Sequence, residues 1–299
     1  MCEVQLLKKY DRLLEIIRSY GSGAVAFSGG VDSTFLLRAA KEALGDDVTA
    51  ITAASGLFPQ RETEETEALC RRIGVRQIRL TIDEMEIDGV RENPPDRCYH
   101  CKKHLFSKIL ETAEEMGLTE VMEGSNTDDA QDYRPGSRAI RELGVRSPLK
   151  EAGFSKSEIR VLSGHQGLPT WNKPSFACLA SRIPYGDEIT KEKLSMAEQG
   201  EELLRQLGFR QYRVRIHGSL ARIEIEPEEF ERIMEHDMRN AVCQRLREIG
   251  FAYVSLDLQG YRTGSMNETL ESGPEQERKL IKEAVTEEKM SLSGEEKTV

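Results

Sequence analysis

The chain has 299 residues, 38% of them hydrophobic and 31% charged, and a formal net charge of −10 at pH 7. That length holds ordinary apolar cores in two domains, while no apolar run approaches the ~20 residues of a spanning helix, so a membrane role is not supported. An acidic balance speaks against a general nucleic-acid binder, whose footprint is basic. Six cysteines are too sparse for a secreted disulfide framework, and the first residues lack a signal-peptide apolar stretch; the expected compartment is the cytoplasm.

Residues 3–20 are expected as an amphipathic helix with Leu6, Leu7, Leu13, Leu14 and Ile17 on its apolar stripe. Ala24 to Phe27 then forms a compact apolar strand, and Ser33 to Leu44 places Leu36, Leu37, Ala40 and Leu44 at helical spacing. Between them lies Ser28-Gly29-Gly30-Val31-Asp32-Ser33. Glycines at a strand-to-helix turn let backbone approach a ligand, and the free amides and dipole of the helix start favour an anion. Phosphate is the expected ligand, although neither G-x-x-x-x-G-K-[ST] nor G-x-G-x-x-G is present. The bland alternative is a glycine-rich turn with Asp32 as a helix cap.

A second strand is expected over 47–53, a helix over 61–73 and a third strand over 75–81. Alternation of this kind predicts a parallel sheet covered on both faces, with ligands at the carboxyl ends of its strands. Two prolines interrupt it at 94 and 95, before Cys98-Tyr99-His100-Cys101 at the start of a helix ending near Met116. A helix start beside Arg97, Lys102 and Lys103 is expected to lower the thiol pKa values and give thiolates. Such a pair serves metal or redox chemistry, or is simply two unlinked thiols.

A short strand at 120–123 leads into Gly124-Ser125-Asn126-Thr127-Asp128-Asp129, and Asp132-Tyr133-Arg134-Pro135-Gly136 follows. Gly124 permits close backbone approach, and these carboxylates either meet magnesium and a ribose or serve as turn and cap residues. A helical segment over 156–162 precedes Trp171 to Gly186, which has no clean period and contains Cys178, Ser181 and Arg182. Irregular, semi-apolar stretches of this length are functional loops or domain junctions.

From about 188 the texture is that of a smaller α+β domain: helices over 191–207, 228–236 and 240–249, a hairpin with strands over 211–217 and 220–225, and a strand over 253–258. Arg213 and Arg215 are two apart on a strand, so they share a face and suit a phosphate, or lie on a solvated sheet face. Cys70 and Cys243 are expected as packing residues.

The phosphate-loop sextet resembles the pyrophosphate loop of ATP pyrophosphatases, which cleave ATP to AMP and pyrophosphate. Together with Asp132-Tyr133-Arg134-Pro135-Gly136, Trp171-Asn172-Lys173-Pro174, the stretch Ala180 to Gly186 and the stretch Leu256 to Gly264, it resembles the LarE family of ATP-dependent sulfur transferases. The resemblance spans about residues 10 to 270. It implies a PP-loop domain of the HUP α/β type over 1–187 with a parallel sheet and a smaller α+β domain over 188–271; beyond Glu271 the sequence is charged and poorly periodic, which predicts a flexible tail over 272–299. It further implies sulfur insertion into pyridinium-3,5-biscarboxylic acid mononucleotide, for a nickel-pincer nucleotide cofactor.

Carried over by position, Ser28, Gly29, Gly30, Asp32, Ser33, Gly124, Asp128 and Arg134 would take ATP and Mg2+. Cys178, Ser181, Arg182 and Glu201 would stand at the reacting sulfur, and Arg213 and Arg215 would clamp the substrate phosphate. Two family types are known, one sacrificing a cysteine sulfur, the other holding a [4Fe-4S] cluster on three cysteines. Cys98, Cys101 and Cys178 resemble the second type, whereas the reactive cysteine of the first lies one residue earlier relative to Ser-Arg than Cys178 does. Relatives assemble as trimers or hexamers, so a homo-oligomer is expected. The competing readings are a tRNA thiolation enzyme, which the acidic charge disfavours, an amidotransferase-type ligase, and a nucleotide sensor without turnover.

Overall fold

The computed structural model describes residues 3–131, 135–174 and 177–268. Cys2, Asp132, Tyr133, Arg134 and the charged tail expected over 272–299 lie outside these residues. The chain divides into two compact units, one formed by residues up to 180 with 188–195, the other by 181–187 with the residues from 196 onward.

In the first unit the order is α1 (Glu3–Arg18), β1 (Gly23–Ala26), α2 (Val31–Leu44), β2 (Val48–Ala54), α3 (Gln60–Ile73), β3 (Arg76–Thr81), α4 (Arg97–Glu115), β4 (Glu120–Met122), α5 (Pro135–Glu142), α6 (Pro148–Glu151) and α7 (Lys156–His165). The four strands form one parallel sheet in the order β3-β2-β1-β4. Successive side chains of a strand point to opposite faces, and the core follows that rule. Val25 and Ala50 pack with α1, α2 and α7 through Leu13, Phe35 and Ile159. Ala24 and Ile51 pack on the other face with Phe106, Ile109 and Ile140 of α4 and α5. The expected doubly covered α/β sheet is what forms.

Helix α2 is the spine of this unit. Val31, Thr34, Phe35, Leu36, Leu37, Ala39 and Ala40 are all buried along it, and Phe35 sits between Tyr10 and Phe154 at ring separations of 5.8 and 5.6 Å. Truncating Phe35 to alanine would cost about 3–5 kcal/mol. Along α1 the expected stripe holds for Leu6, Leu13, Leu14 and Ile17, but Leu7 is 52% exposed. It lies about 100° round the axis from Leu6, at the margin of the stripe, where no neighbouring element covers it.

The second unit contains most of α8 (Lys191–Gln206), then β5 (Tyr212–His217), β6 (Leu220–Ile225), α9 (Phe230–Met234), α10 (His236–Ile249) and β7 (Tyr253–Leu256). Strands β5 and β6 form the expected antiparallel hairpin through Gly218 and Ser219, and β7 adds to β6 in parallel. Gly200 of α8 lets helix and sheet close up, since a Cβ there would stand 3.1 Å from Val214 and 3.2 Å from Leu246. The helix expected over 228–236 is instead a single turn, Pro227–Glu229, followed by the short α9. Backbone at Glu235 is extended, with φ −54° and ψ 139°, and this ends α9 and opens α10 at His236 rather than Asn240.

Candidate functional site

The phosphate loop leaves β1 at its carboxyl end, where the strand order reverses between β2 and β4; ligands of open α/β sheets bind at such points. Gly29 has φ +71°, and a Cβ on it would lie 3.0 Å from Thr66 of α3. Only glycine meets both demands without strain. Ser28 and Ser33 hydroxyls meet at 3.1 Å across the loop, and the Thr34 amide donates to Gly30 O at 3.0 Å. The buried α2 therefore fixes the far side of the loop.

Asp32 points from the first turn of α2 toward α7, where the ammonium of Lys156 pairs with its Oδ2. Its other oxygen, Oδ1, is buried with no hydrogen-bond partner. Burial pushes the Asp32 carboxyl up from its usual range, against the pull of Lys156. A buried carboxylate oxygen without a donor is suited to a hard cation, which favours oxygen ligands and supplies the missing positive charge.

Gly124 lies against the same turn: a Cβ there would stand 3.1 Å from the Ser33 amide nitrogen and 3.3 Å from Asp32 Cβ. Buried Glu123 shapes the loop after β4 by accepting from the Ser125 amide at 3.0 Å and its hydroxyl at 2.8 Å. Asp128 is exposed, and its carboxylate accepts the Lys156 amide at 2.9 Å, so it caps the start of α7 beneath the lysine that reaches Asp32. Arg134, expected beside the nucleotide, lies outside the described residues.

The cysteines correct one expectation. Cys98 and Cys101 lie in the first turns of α4, with Arg97 buried beside them. Yet both thiols have pKa values raised rather than lowered. Burial is the main cause for each and the nearby Cys178 sulfur the second, and together they outweigh Arg97 and Lys102; Cys101 is pushed up to about 12. Lys103, the third cation expected to act, is turned outward to the Tyr99 hydroxyl at 3.0 Å.

Arg97 also donates to Ala180 O at 3.2 Å, which brings the segment carrying Cys178 to the start of α4. From there the Cys178 sulfur acts on both Cys98 and Cys101. Among the described residues, however, no group of three or more His, Cys, Asp or Glu side chains stands in a metal-holding arrangement. His100 is engaged with Asp96 at 3.2 Å. Cys70 packs in the core, as expected, and burial raises its thiol to about 12.

In the second unit Ser181, Arg182, Glu201, Arg213 and Arg215 come together. Arg182 is completely buried and grips Glu201 through two bonds of 2.7 and 2.9 Å. Glu201 also accepts the Val214 amide at 3.2 Å. Arg215 donates to Ser181 O at 2.9 Å, to Glu224 at 2.8 Å and to Ser265 at 3.0 Å. Arg213, with the Tyr261 ring 5.1 Å from its guanidinium, has its pKa lowered by burial and then by Arg182. A solvated sheet face is therefore ruled out for these two arginines, since both are buried.

Glu224, Ser265 and Lys156 belong to these sites and were not singled out from sequence. For Glu224 a signal exists: the turn at Gly218-Ser219 sets the hairpin register and puts Glu224 directly opposite Arg213. For Lys156 and Ser265 there is none short of the fold.

A parallel sheet opening through Ser-Gly-Gly-Val-Asp-Ser into a buried helix, with an orphaned carboxylate oxygen at its first turn, defines a PP-loop protein of the ATP pyrophosphatase class. No family model matches the chain. It is 40% identical over 265 residues to an uncharacterized protein of Synechocystis sp., covering 89% of this chain and 99% of that one. It is 38% identical over 266 residues to the pyridinium-3,5-bisthiocarboxylic acid mononucleotide synthase of Lactiplantibacillus plantarum, covering 89% of this chain and 96% of the synthase. A more distant likeness, 27% over 203 residues, is to a GMP synthase of Aeropyrum pernix, with 60% of this chain and 38% of that protein covered. The chain belongs to the LarE family of ATP-dependent sulfur transferases and is an enzyme. Among the described residues, no helix is long and apolar enough to cross a membrane.

Proposed function

We propose that the enzyme uses ATP to activate the carboxylates of pyridinium-3,5-biscarboxylic acid mononucleotide and converts them to thiocarboxylates. The observation that carries this reading is the phosphate loop closed by Asp32 and Lys156, in a chain alike over nearly its whole length to the synthase of that product. A substrate carboxylate oxygen bonds to the α-phosphorus of ATP, and the bond from that phosphorus to the bridging oxygen breaks. Amides of residues 28–33 hold the departing pyrophosphate. Asp32 Oδ1 is the atom suited to Mg2+, and Lys156 supplies a cation to the phosphates. Sulfur then attacks the acyl carbon, and AMP leaves with the carbon–oxygen bond electrons.

The second unit binds the substrate phosphate through Arg213 and Arg215, with Arg182 and Glu201 fixing the strand that carries them. Cys98, Cys101 and Cys178 are the donors for a [4Fe-4S] cluster. Burial and the nearby Cys178 sulfur both disfavour ionisation of Cys98 and Cys101, a penalty that bound metal charge relieves. Such a cluster supplies transferable sulfur when bound. The chain's part is to hold it through thiolates, with Arg97 keeping the Cys178 segment at α4. We extend to this chain the homo-oligomer expected from the resemblance and the cytoplasmic location expected from its composition.

Anaerobic purification followed by iron and acid-labile sulfide analysis, with pyrophosphate release measured on the pyridinium mononucleotide, tests the reading. ATP converted to ADP, or no pyrophosphate at all, rejects it. An iron-free protein that loses the Cys178 sulfur in each turnover assigns the sacrificial route instead.

A further inference from the structure

We infer that Lys173 is a positioning residue of the phosphate loop, bracing the Gly29–Gly30 peptide so that its amide faces the anion; this rests on the nucleotide reading above. Three acceptors meet the Lys173 ammonium: Glu62 at 2.6 Å, Glu65 at 2.7 Å and Gly29 O at 3.3 Å. An ammonium has three protons and no more, so its donor capacity is matched by contacts within the protein. Both carboxylates come from α3, the helix whose Thr66 methyl leaves no room for a side chain at Gly29.

The backbone of Lys173 is held in turn. Arg160 of α7 donates to Trp171 O and to Lys173 O, each at 2.9 Å. A strap therefore runs from α7, through the loop after Leu168, to the carbonyl of Gly29. All of it lies in the first unit.

The effect on the loop follows from peptide geometry. No peptide bond in the described chain is cis, and in a trans peptide the carbonyl and the next amide point in opposite directions. Pinning Gly29 O toward Lys173 aims the Gly30 N–H to the other side. Gly29 has no side chain to restrict its rotation and sits at φ +71°, so without the lysine the peptide can turn over and present its oxygen to the phosphates. A carbonyl oxygen in that position repels an anion, which makes the brace matter for binding as well as for shape.

Isothermal titration of the full-length protein with inorganic pyrophosphate and, separately, with AMP tests this. Lys173→Met is expected to weaken pyrophosphate binding about tenfold and AMP binding less than twofold, and Lys173→Arg, which still donates to Gly29 O, to restore most of the loss. Glu65→Gln is expected to leave pyrophosphate binding equal or weaker, because it loosens the lysine. Unchanged pyrophosphate binding in Lys173→Met overturns the inference. So does tighter binding in Glu65→Gln, which makes the lysine a direct phosphate ligand restrained by its carboxylates. If Lys173→Met does not fold, the Lys173→Arg and Glu65→Gln arms decide: weakened pyrophosphate binding in the arginine variant also overturns the brace. Wild-type protein that binds neither ligand rejects the nucleotide reading itself, a result separate from any of these.

Discussion

Arg182 and Glu201 form a two-pronged ion pair, with bonds of 2.7 and 2.9 Å, sealed from solvent between the irregular segment and α8. Breaking one side of a buried pair strands the other charge and costs about 3–5 kcal/mol, whereas replacing both sides by apolar groups of similar size is often neutral. Glu201→Ala is therefore expected to lower the urea midpoint steeply. An Arg182→Met, Glu201→Met double variant should recover most of that stability while remaining inactive. If the double variant regains activity as well as stability, the pair serves the fold alone.

The two buried arginines on β5 should separate. Arg215 donates to Glu224 and Ser265, and Arg222 holds the other Glu224 oxygen at 3.0 Å, so Arg215→Met removes one of two cations from a buried carboxylate and is expected to destabilise by about 2 kcal/mol. Arg213 carries a charge that burial and Arg182 both disfavour. Arg213→Met should melt within a few degrees of the wild type yet raise the KM for a phosphorylated substrate at least tenfold. Equal melting losses in the two variants count against this division.

Position 124 tests the close approach of the two loops. Gly124→Ala places a methyl 3.1 Å from a main-chain nitrogen, Ser33 N, which cannot rotate away as a side chain would. The expected outcome is a rise of at least tenfold in the KM for ATP, with a smaller change in the KM for the carboxylate substrate. A KM for ATP unchanged within twofold shows that the loop has room to spare.

Acid sensitivity should trace in part to His217. Burial, then the charge of Arg222, lowers its pKa, and Arg222 Nε–H donates to His217 Nε2 at 3.1 Å, which only a neutral imidazole accepts. With the folded pKa below the unfolded one, the unfolded chain takes up the proton first. Stability therefore falls as pH drops below about 6.5 and is unaffected above it. His217→Gln should flatten the melting temperature over that range; an identical slope in wild type and variant rejects the assignment.

The thiols offer a further check. With Cys101 at about 12, metal-free protein should react with iodoacetamide at a rate that keeps climbing from pH 7 to pH 10. A plateau near neutrality would mean thiolates, and with them a different environment from the one described.

What sequence could reveal divides along physical lines. The phosphate loop was legible because its demands are local: a positive φ at Gly29, a buried strand before it and an apolar helix after it. The two-faced sheet was legible for the same reason, from strand and helix periods alone. The ionisation of Cys98 and Cys101 was not, because neighbouring cations are visible in sequence whereas burial is set by the packing of α4 on α5 and the return of the chain at Ala180. Lys156 escaped notice, and Lys173 stood out only within the stretch Trp171 to Pro174, because they meet Asp32 and Gly29 from 124 and 144 positions away. Their partners exist only once the chain is folded.

Strand β1 is hydrogen-bonded on both sides, to β2 and to β4. A central strand has no free edge from which opening can start, so the Ala24 and Val25 amides should be among the slowest in the unit to exchange. The loop that receives the nucleotide is thus tethered to the stiffest part of the sheet. Heating or mild denaturant should therefore loosen edge strand β3 and the hairpin tip at Gly218 well before the ability to bind ATP is lost.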